Sequence, residues 1–429
     1  MNRPRLCISF IAIMAVLLPA ATPKPAKVEL RQQDGKYRLY VDGKEFYVRG
    51  AGCEFGDIER LALHGANSFR TWRTENGQQS GQQVLDRAQK SGLKVLMCVE
   101  VARERHGFNY DDKDAVSRQF EDIKSQILKY KDHPALLGWI LGNELNLQAK
   151  NPKVWDAVND LAKFIHEADP NHPATTALAG ISKGLVDEIK KRATALDFLS
   201  VQSYGDIINL QKRLKDAQWD GPYMVTEWGA TGHWEVASTQ WKAPIEETSS
   251  QKAKVFAERY EKAVAVDPLR CLGSYVFLWG QKQERTPTWY GMFTEQGEET
   301  ETVEVMHKIW TGGDPANRVP RVENASLNGQ SANQNIRLKI GVPLSAEIRS
   351  SDPDNDRLSY TFEIMPESTD LKTGGDFETK PPVTASVKSD KGSAQMKAPG
   401  KEGAYRLFFY VRDGKGNCGT ANIPFFVEK

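Results

Sequence analysis

The sequence predicts an α/β chain: a (β/α)8 TIM barrel followed by a small C-terminal all-β sandwich of immunoglobulin type. Three observations carry that expectation. Apolar, strand-like segments recur near residues 47–52, 66–72, 94–100, 136–143, 173–178, 197–204, 222–227 and 273–279. Between most of them, apolar residues fall at helical spacing, as in Phe120, Ile123, Ile127 and Leu128, or Val154, Val158, Leu161 and Ile165. Beyond Gly312-Gly313-Asp314-Pro315 the helical spacing stops, and short alternating runs such as Leu358 to Ile364 and Tyr405 to Val411 take over. Eight strands alternating with helices over roughly 270 residues have the count and length of a closed barrel. An open doubly wound sheet is the alternative, but no G-x-G-x-x-G follows a strand.

The elements follow in order. Arg3 and Arg5 precede an apolar stretch from Leu6 to Leu18 and the small residues Pro19-Ala20-Ala21, so residues 1–21 read as an export signal peptide. The stretch is short for a membrane span, and none like it follows; an uncleaved anchor is the alternative. Cys7 lies inside the apolar segment, which argues against a lipid-modified cysteine. The expectation is a secreted or periplasmic protein. Asp34-Gly35 and Asp42-Gly43 then separate short strand-like runs, the chemistry of tight hairpin turns. They predict an entry hairpin over the barrel floor. The barrel with this hairpin is expected over 28–311, with Gly65 and Gly92 stopping helices before new strands. The sandwich is expected over 318–429.

Composition excludes several partners. A formal net charge of +1 and no long Lys/Arg run leave no footprint for nucleic acid. Nothing beyond the export signal points to a membrane, and oligomeric state is not indicated. Cys53, Cys98, Cys271 and Cys418 suit neither a zinc knuckle nor a disulfide framework. Cys53 and Cys271 fall at opposite ends of neighbouring strands roughly 20 Å long, beyond disulfide reach, so all four are expected as free, mostly buried thiols. All ten tryptophans precede the composition break, so the sandwich reads as a spacer or docking unit rather than an aromatic sugar-binding module. Asp352, Asp354 and Asp356 form an acidic turn that could hold calcium, but ordinary turn-forming aspartates are the preferred reading.

In barrels of this kind, reactive groups sit where strands end. The strand ends carry Glu54, Arg70, Trp72, Glu100, Asn143, Glu144, Gln202, Tyr204, Glu227 and Trp279. Carboxylates and aromatics dominate, and no H-x-H occurs, which argues against a metal-dependent hydrolase. No metal or cofactor is expected. Gly142-Asn143-Glu144 and Thr226-Glu227-Trp228-Gly229 each place one carboxylate at a strand end, opposed across the mouth. Two opposed carboxylates are the minimum equipment for breaking a glycosidic bond, and aromatic walls suit the C–H faces of a sugar. The implied partner is a carbohydrate.

Several segments carry a family resemblance: Tyr47-Val48-Arg49-Gly50, Asn67-Ser68-Phe69-Arg70-Thr71, Asp132-His133-Pro134, Gly142-Asn143-Glu144, Thr226-Glu227-Trp228-Gly229 and Trp279. In this order, each after its own strand, they resemble the catalytic barrel of glycoside hydrolase family 2, within clan A of retaining glycosidases, over about residues 28–311. Members usually carry sandwich domains before the barrel, whereas here the barrel starts almost at once. The sixth strand also reads Val201-Gln202-Ser203-Tyr204, with Gln where Asn is common. The resemblance implies Glu144 as acid/base and Glu227 as nucleophile. Arg70 and Tyr204 would then bond Glu227, Asn143 would hold the sugar's 2-hydroxyl, and Trp279 would floor the reacting subsite. Outer contacts are expected from Glu54, His106 in the third-strand loop, Trp228 and Trp289. The expectation is a retaining β-glycosidase acting on an oligo- or polysaccharide of β-glucan type. A transglycosylase with the same pair and a non-catalytic sugar-binding barrel are the rivals. The sequence selects neither sugar nor linkage.

Overall fold

The computed structural model describes residues 24–429, so the expected signal peptide lies outside the described residues. A three-stranded antiparallel sheet opens the chain (Val28–Gln33, Lys36–Val41, Lys44–Phe46). Both of its turns place Asp and then Gly at positive φ (Asp34 51°, Gly35 73°; Asp42 50°, Gly43 79°). That pair of angles defines the type I′ turn, which only Asp, Asn and Gly adopt readily. Val28, Leu39 and Val41 pack against Val48, Leu137, Phe198, Met224 and Leu272 at the starts of barrel strands. The sheet therefore plugs the barrel floor.

Eight parallel strands close the barrel: Val48–Gly52, Ser68–Arg70, Lys94–Val99, Leu136–Asn143, Ala174–Ala179, Leu199–Gln202, Tyr223–Gly229 and Cys271–Phe277. The eighth pairs with the first, from Gly273 opposite Val48 to Val276 opposite Ala51. Each expected strand segment overlaps one of them, with the fifth, seventh and eighth strands running one or two residues past the expected bounds. They read as apolar runs because both faces are covered, by the barrel interior and by the helical ring. Val154, Val158, Leu161 and Ile165 form the inner stripe of helix Lys153–Ala168. Helices Gly81–Lys90 and Ser249–Arg259 start with reciprocal capping boxes, Ser80 with Gln83 and Thr248 with Gln251. Gly312, at φ 83°, ends the last helix, Glu301–Thr311. Among the described residues, no helix is long and apolar enough to cross a membrane. The four cysteines are free and buried, as expected.

The C-terminal unit has two sheets. One joins Arg321–Leu327, Pro343–Ser351 and Ser393–Lys397. The other joins Arg337–Lys339, Cys418–Glu428, Gly403–Arg412, Ser359–Pro366 and Ala385–Ser389. Leu344 and Ile348 of the first meet Phe362, Leu407, Phe409 and Phe425 of the second in one core. In the acidic turn, Asp352 accepts backbone N–H bonds from Asp354 and Asp356, while Asp354 pairs with Arg318. The Asp413 carboxylate approaches those of Asp352 and Asp356.

The two units share a buried polar junction. Glu246 accepts from Lys252 at 2.6 Å, Asn422 at 2.6 Å and Thr288 at 2.9 Å, and Lys252 also donates to the Thr288 carbonyl. Arg406 donates to the Pro244 carbonyl at 2.8 Å. The Glu246 and Lys252 side chains are 1% and 6% exposed. Replacing Lys252 by Met therefore leaves a buried carboxylate without its counter-charge. The expected loss is about 3–5 kcal/mol of stability, read from the urea midpoint; an unchanged midpoint would show the pair to be dispensable.

Candidate active site

Two strand ends and the loops that follow them converge on Glu227. Arg70, the last residue of the second strand, is wholly buried. It donates to the Asn143 side-chain oxygen at 2.6 Å, to the Thr226 carbonyl at 3.2 Å and to Glu227 Oε2 at 3.5 Å. Gln202, ending the sixth strand, donates through Nε2 to Asn143 at 2.7 Å and Glu227 Oε2 at 3.3 Å. Trp72 adds its indole N–H to the same oxygen at 3.3 Å. Tyr204 donates to the other oxygen, Oε1, at 2.6 Å. Every partner of Glu227 is a donor, the set that an anionic carboxylate requires. The Tyr204 hydroxyl is pushed well above its ordinary range by burial and by the Glu227 charge, so it remains a donor at neutral pH.

Asn143 is oriented by the same network. Its side-chain oxygen is taken by Arg70 and Gln202, which leaves the amide NH2 for a ligand. Glu144 follows in the left-handed region, at φ 53° after Gly142 at 76°. Its N–H still donates to the Ala177 carbonyl at 2.8 Å. A glutamate held there costs on the order of 1 kcal/mol and turns its side chain out of the strand alternation. Burial, then the negative charge of Glu227, pushes the Glu144 carboxyl up to about 7, against the pull of Arg105, Arg70 and Arg103. One carboxyl group is thus poised to carry a proton near neutral pH beside another surrounded by donors.

Both line a cavity of about 1240 Å³. Its walls include Trp72, Tyr204 and Phe277, with Phe277 edge-on to Trp72 at 5.7 Å. A side cavity of about 350 Å³ shares Trp72, Glu100, Arg103 and Asn143 with it.

Of the expected site residues, Arg70, Asn143, Glu144, Tyr204 and Glu227 come together. Glu54 lies on the cavity wall, paired with Arg73 at 2.7 Å. His106 sits at the side cavity and bonds Asp376 at 3.1 Å. Three tryptophans do not serve as expected. Trp279 is among the residues lining the cavity, but it is 0% exposed, its indole N–H donates to the Asp57 carbonyl and its ring packs on Phe293, so no sugar ring can stack on it. Phe277, two residues earlier, supplies that wall. Trp228 is wholly buried against Phe256 and Tyr260, in the helical layer. Trp289 is buried, its N–H bound to the Thr231 carbonyl.

The reading of the C-terminal unit as a spacer or docking unit is also corrected. Residues 372–377, in the loop between its strands Ser359–Pro366 and Ala385–Ser389, line the main cavity. Nothing local in the sequence signals this. Trp72 and Gln202 were visible as strand-end residues, yet their bonds to Glu227 required the barrel's curvature to be seen.

A model described as "Glycosyl hydrolases family 2, TIM barrel domain" matches residues 55–329. The chain belongs to glycosyl hydrolase family 2. No curated protein matches it. Among solved structures, the family 2 fold aligns with Bacteroides uniformis beta-glucuronidase 2 at TM-score 0.52 and 15% identity, over 94% of this chain and 48% of that one. It aligns with Bifidobacterium dentium beta-glucuronidase at 0.52 and 19%, over 67% and 49%. A beta-D-glucuronidase from Dictyoglomus thermophilum aligns at 0.51 and 17%, over 67% and 53%. The chain thus spans about half the length of these structures, and at such identities the likeness is one of fold.

Proposed function

We propose that this chain is an exported retaining β-glycosidase that cleaves β-linked oligo- or polysaccharides, of β-glucan type, by double displacement. The observation that carries the reading is the division of labour between Glu144 and Glu227: one carboxyl raised to about 7, the other held among four donors, both lining one cavity. Glu227 attacks the anomeric carbon while Glu144 gives its proton to the departing oxygen. Once Glu227 is esterified its charge is gone, the push on Glu144 falls, and the ionised Glu144 takes a proton from the incoming water. The Asn143 NH2 is the donor for the 2-hydroxyl. No step requires a metal or cofactor. The C-terminal two-sheet unit is read as immunoglobulin-like.

A 2-deoxy-2-fluoro glycosyl fluoride tests the mechanism, because the electron-poor sugar slows release of the covalent intermediate. The expected result is a mass increase of one fluorosugar on the peptide bearing Glu227. Inversion of the product anomer, or label on another residue, would reject double displacement through Glu227. Product analysis at high substrate separates hydrolysis from transglycosylation.

A further inference from the structure

The loop that the C-terminal unit lays over the barrel mouth is built to stay there. Glu378 is 0% exposed on its side chain and binds Arg285 twice, at the backbone N–H (2.6 Å) and the guanidinium (3.1 Å). Asp376 is held by Arg105 at 2.9 Å and His106 at 3.1 Å. Lys282 donates to the Gly375 carbonyl, and Arg285 to that of Lys372 at 3.2 Å. Gly374, at φ 65°, lies so close to the barrel that a Cβ there would meet Arg105 at 2.8 Å and Leu147 at 2.9 Å.

Between the two anchors Asp376 and Glu378 stands Phe377, 81% exposed and on the cavity wall. Two other aromatics of the same cavity, Phe55 and Trp234, are each 60% exposed. An apolar ring fixed in water between two clamped acids gains nothing for the fold. It offers a flat face of the kind on which a sugar's C–H groups pack. The side of the cleft follows from the neighbours. The loop touches Arg105, whose charge acts on Glu144, and Leu147, three residues beyond it. Glu144 is the group that protonates the departing oxygen.

We propose that residues 371–378 form the specificity element of the cleft, with Phe377 as the platform for a pyranose unit on the leaving-group side of the scissile bond. This rests on the glycosidase reading above. The platform lets the C-terminal unit select longer substrates while the barrel performs the chemistry.

The test uses the intact chain carrying Glu227→Gln, titrated calorimetrically with β-linked tetrasaccharides of glucose, mannose, xylose and galactose, and with the matching methyl β-monosaccharides. Adding Phe377→Ala is expected to weaken the best-bound tetrasaccharide about five- to tenfold and to leave the methyl monosaccharide, which has no ring on the leaving-group side, unchanged. Asp376→Ala, which removes the carboxylate held by Arg105 and His106 and leaves Arg105 only the Thr373 and Gly374 carbonyls, shifts the affinities the same way. Equal tetrasaccharide affinities, an equal loss for the monosaccharide, or no tetrasaccharide binding at all would overturn the inference. None of these results bears on Glu144 and Glu227, whose roles are decided by turnover of an aryl glycoside in the otherwise unaltered chain.

Discussion

Glu227→Gln will lower kcat by on the order of 10⁴-fold or more, the scale on which loss of a covalent nucleophile is felt, while sugar binding persists. The amide has the carboxylate's shape but no charge with which to attack. Its oxygen can take the place of Oε2 before Arg70, Trp72 and Gln202, and its NH2 can face Tyr204, whose hydroxyl accepts as well as donates. The network therefore survives, and the loss is chemical rather than structural. Steady-state rates on an aryl glycoside, with ligand affinity in parallel, give the measurement. Turnover at the parent rate would mean that another group attacks.

The second large effect concerns Glu144. It must hold a proton for the first step, and burial together with the Glu227 charge raises its pKa to about 7. The group is therefore competent below that pH, and kcat/KM is expected to fall as pH rises through about 7. Glu144→Gln should remove this basic limb and cost about 10²–10⁴-fold with a sugar leaving group. The cost in kcat/KM should be small with a dinitrophenyl leaving group, which departs without protonation, while kcat stays low because water is no longer activated. A limb near 7 that persists in the variant would assign the titration to a different residue.

How much of this was legible in the sequence depends on how local the signal is. The barrel strands announce themselves because each is buried on both faces, as in Leu136–Asn143. The I′ turns are written in Asp34-Gly35 and Asp42-Gly43. The reacting pair was legible too, since each Glu closes an apolar run. The tryptophans were not, for two separate reasons. Trp228 is next to Glu227 on a strand, so alternation alone sends it to the opposite face, into the helices; that signal was present and unused. Trp279 lies beyond Phe277, where the strand ends and alternation lapses, so extending the pattern by two residues picks the wrong aromatic. The loop at 372–377 meets Arg105 across more than 260 positions of chain. No periodicity reports a contact of that separation. Gln202 shows the middle case: its place was evident, but its bonds to both Asn143 and Glu227 emerge only when two strand ends curve together.

The buried bond between Glu378 and Arg285 also has a bearing on ancestry. A tail pinned to the barrel by a buried charge cannot drift on its own: a change at either Glu378 or Arg285 strands the other's charge, so the two positions have to vary together.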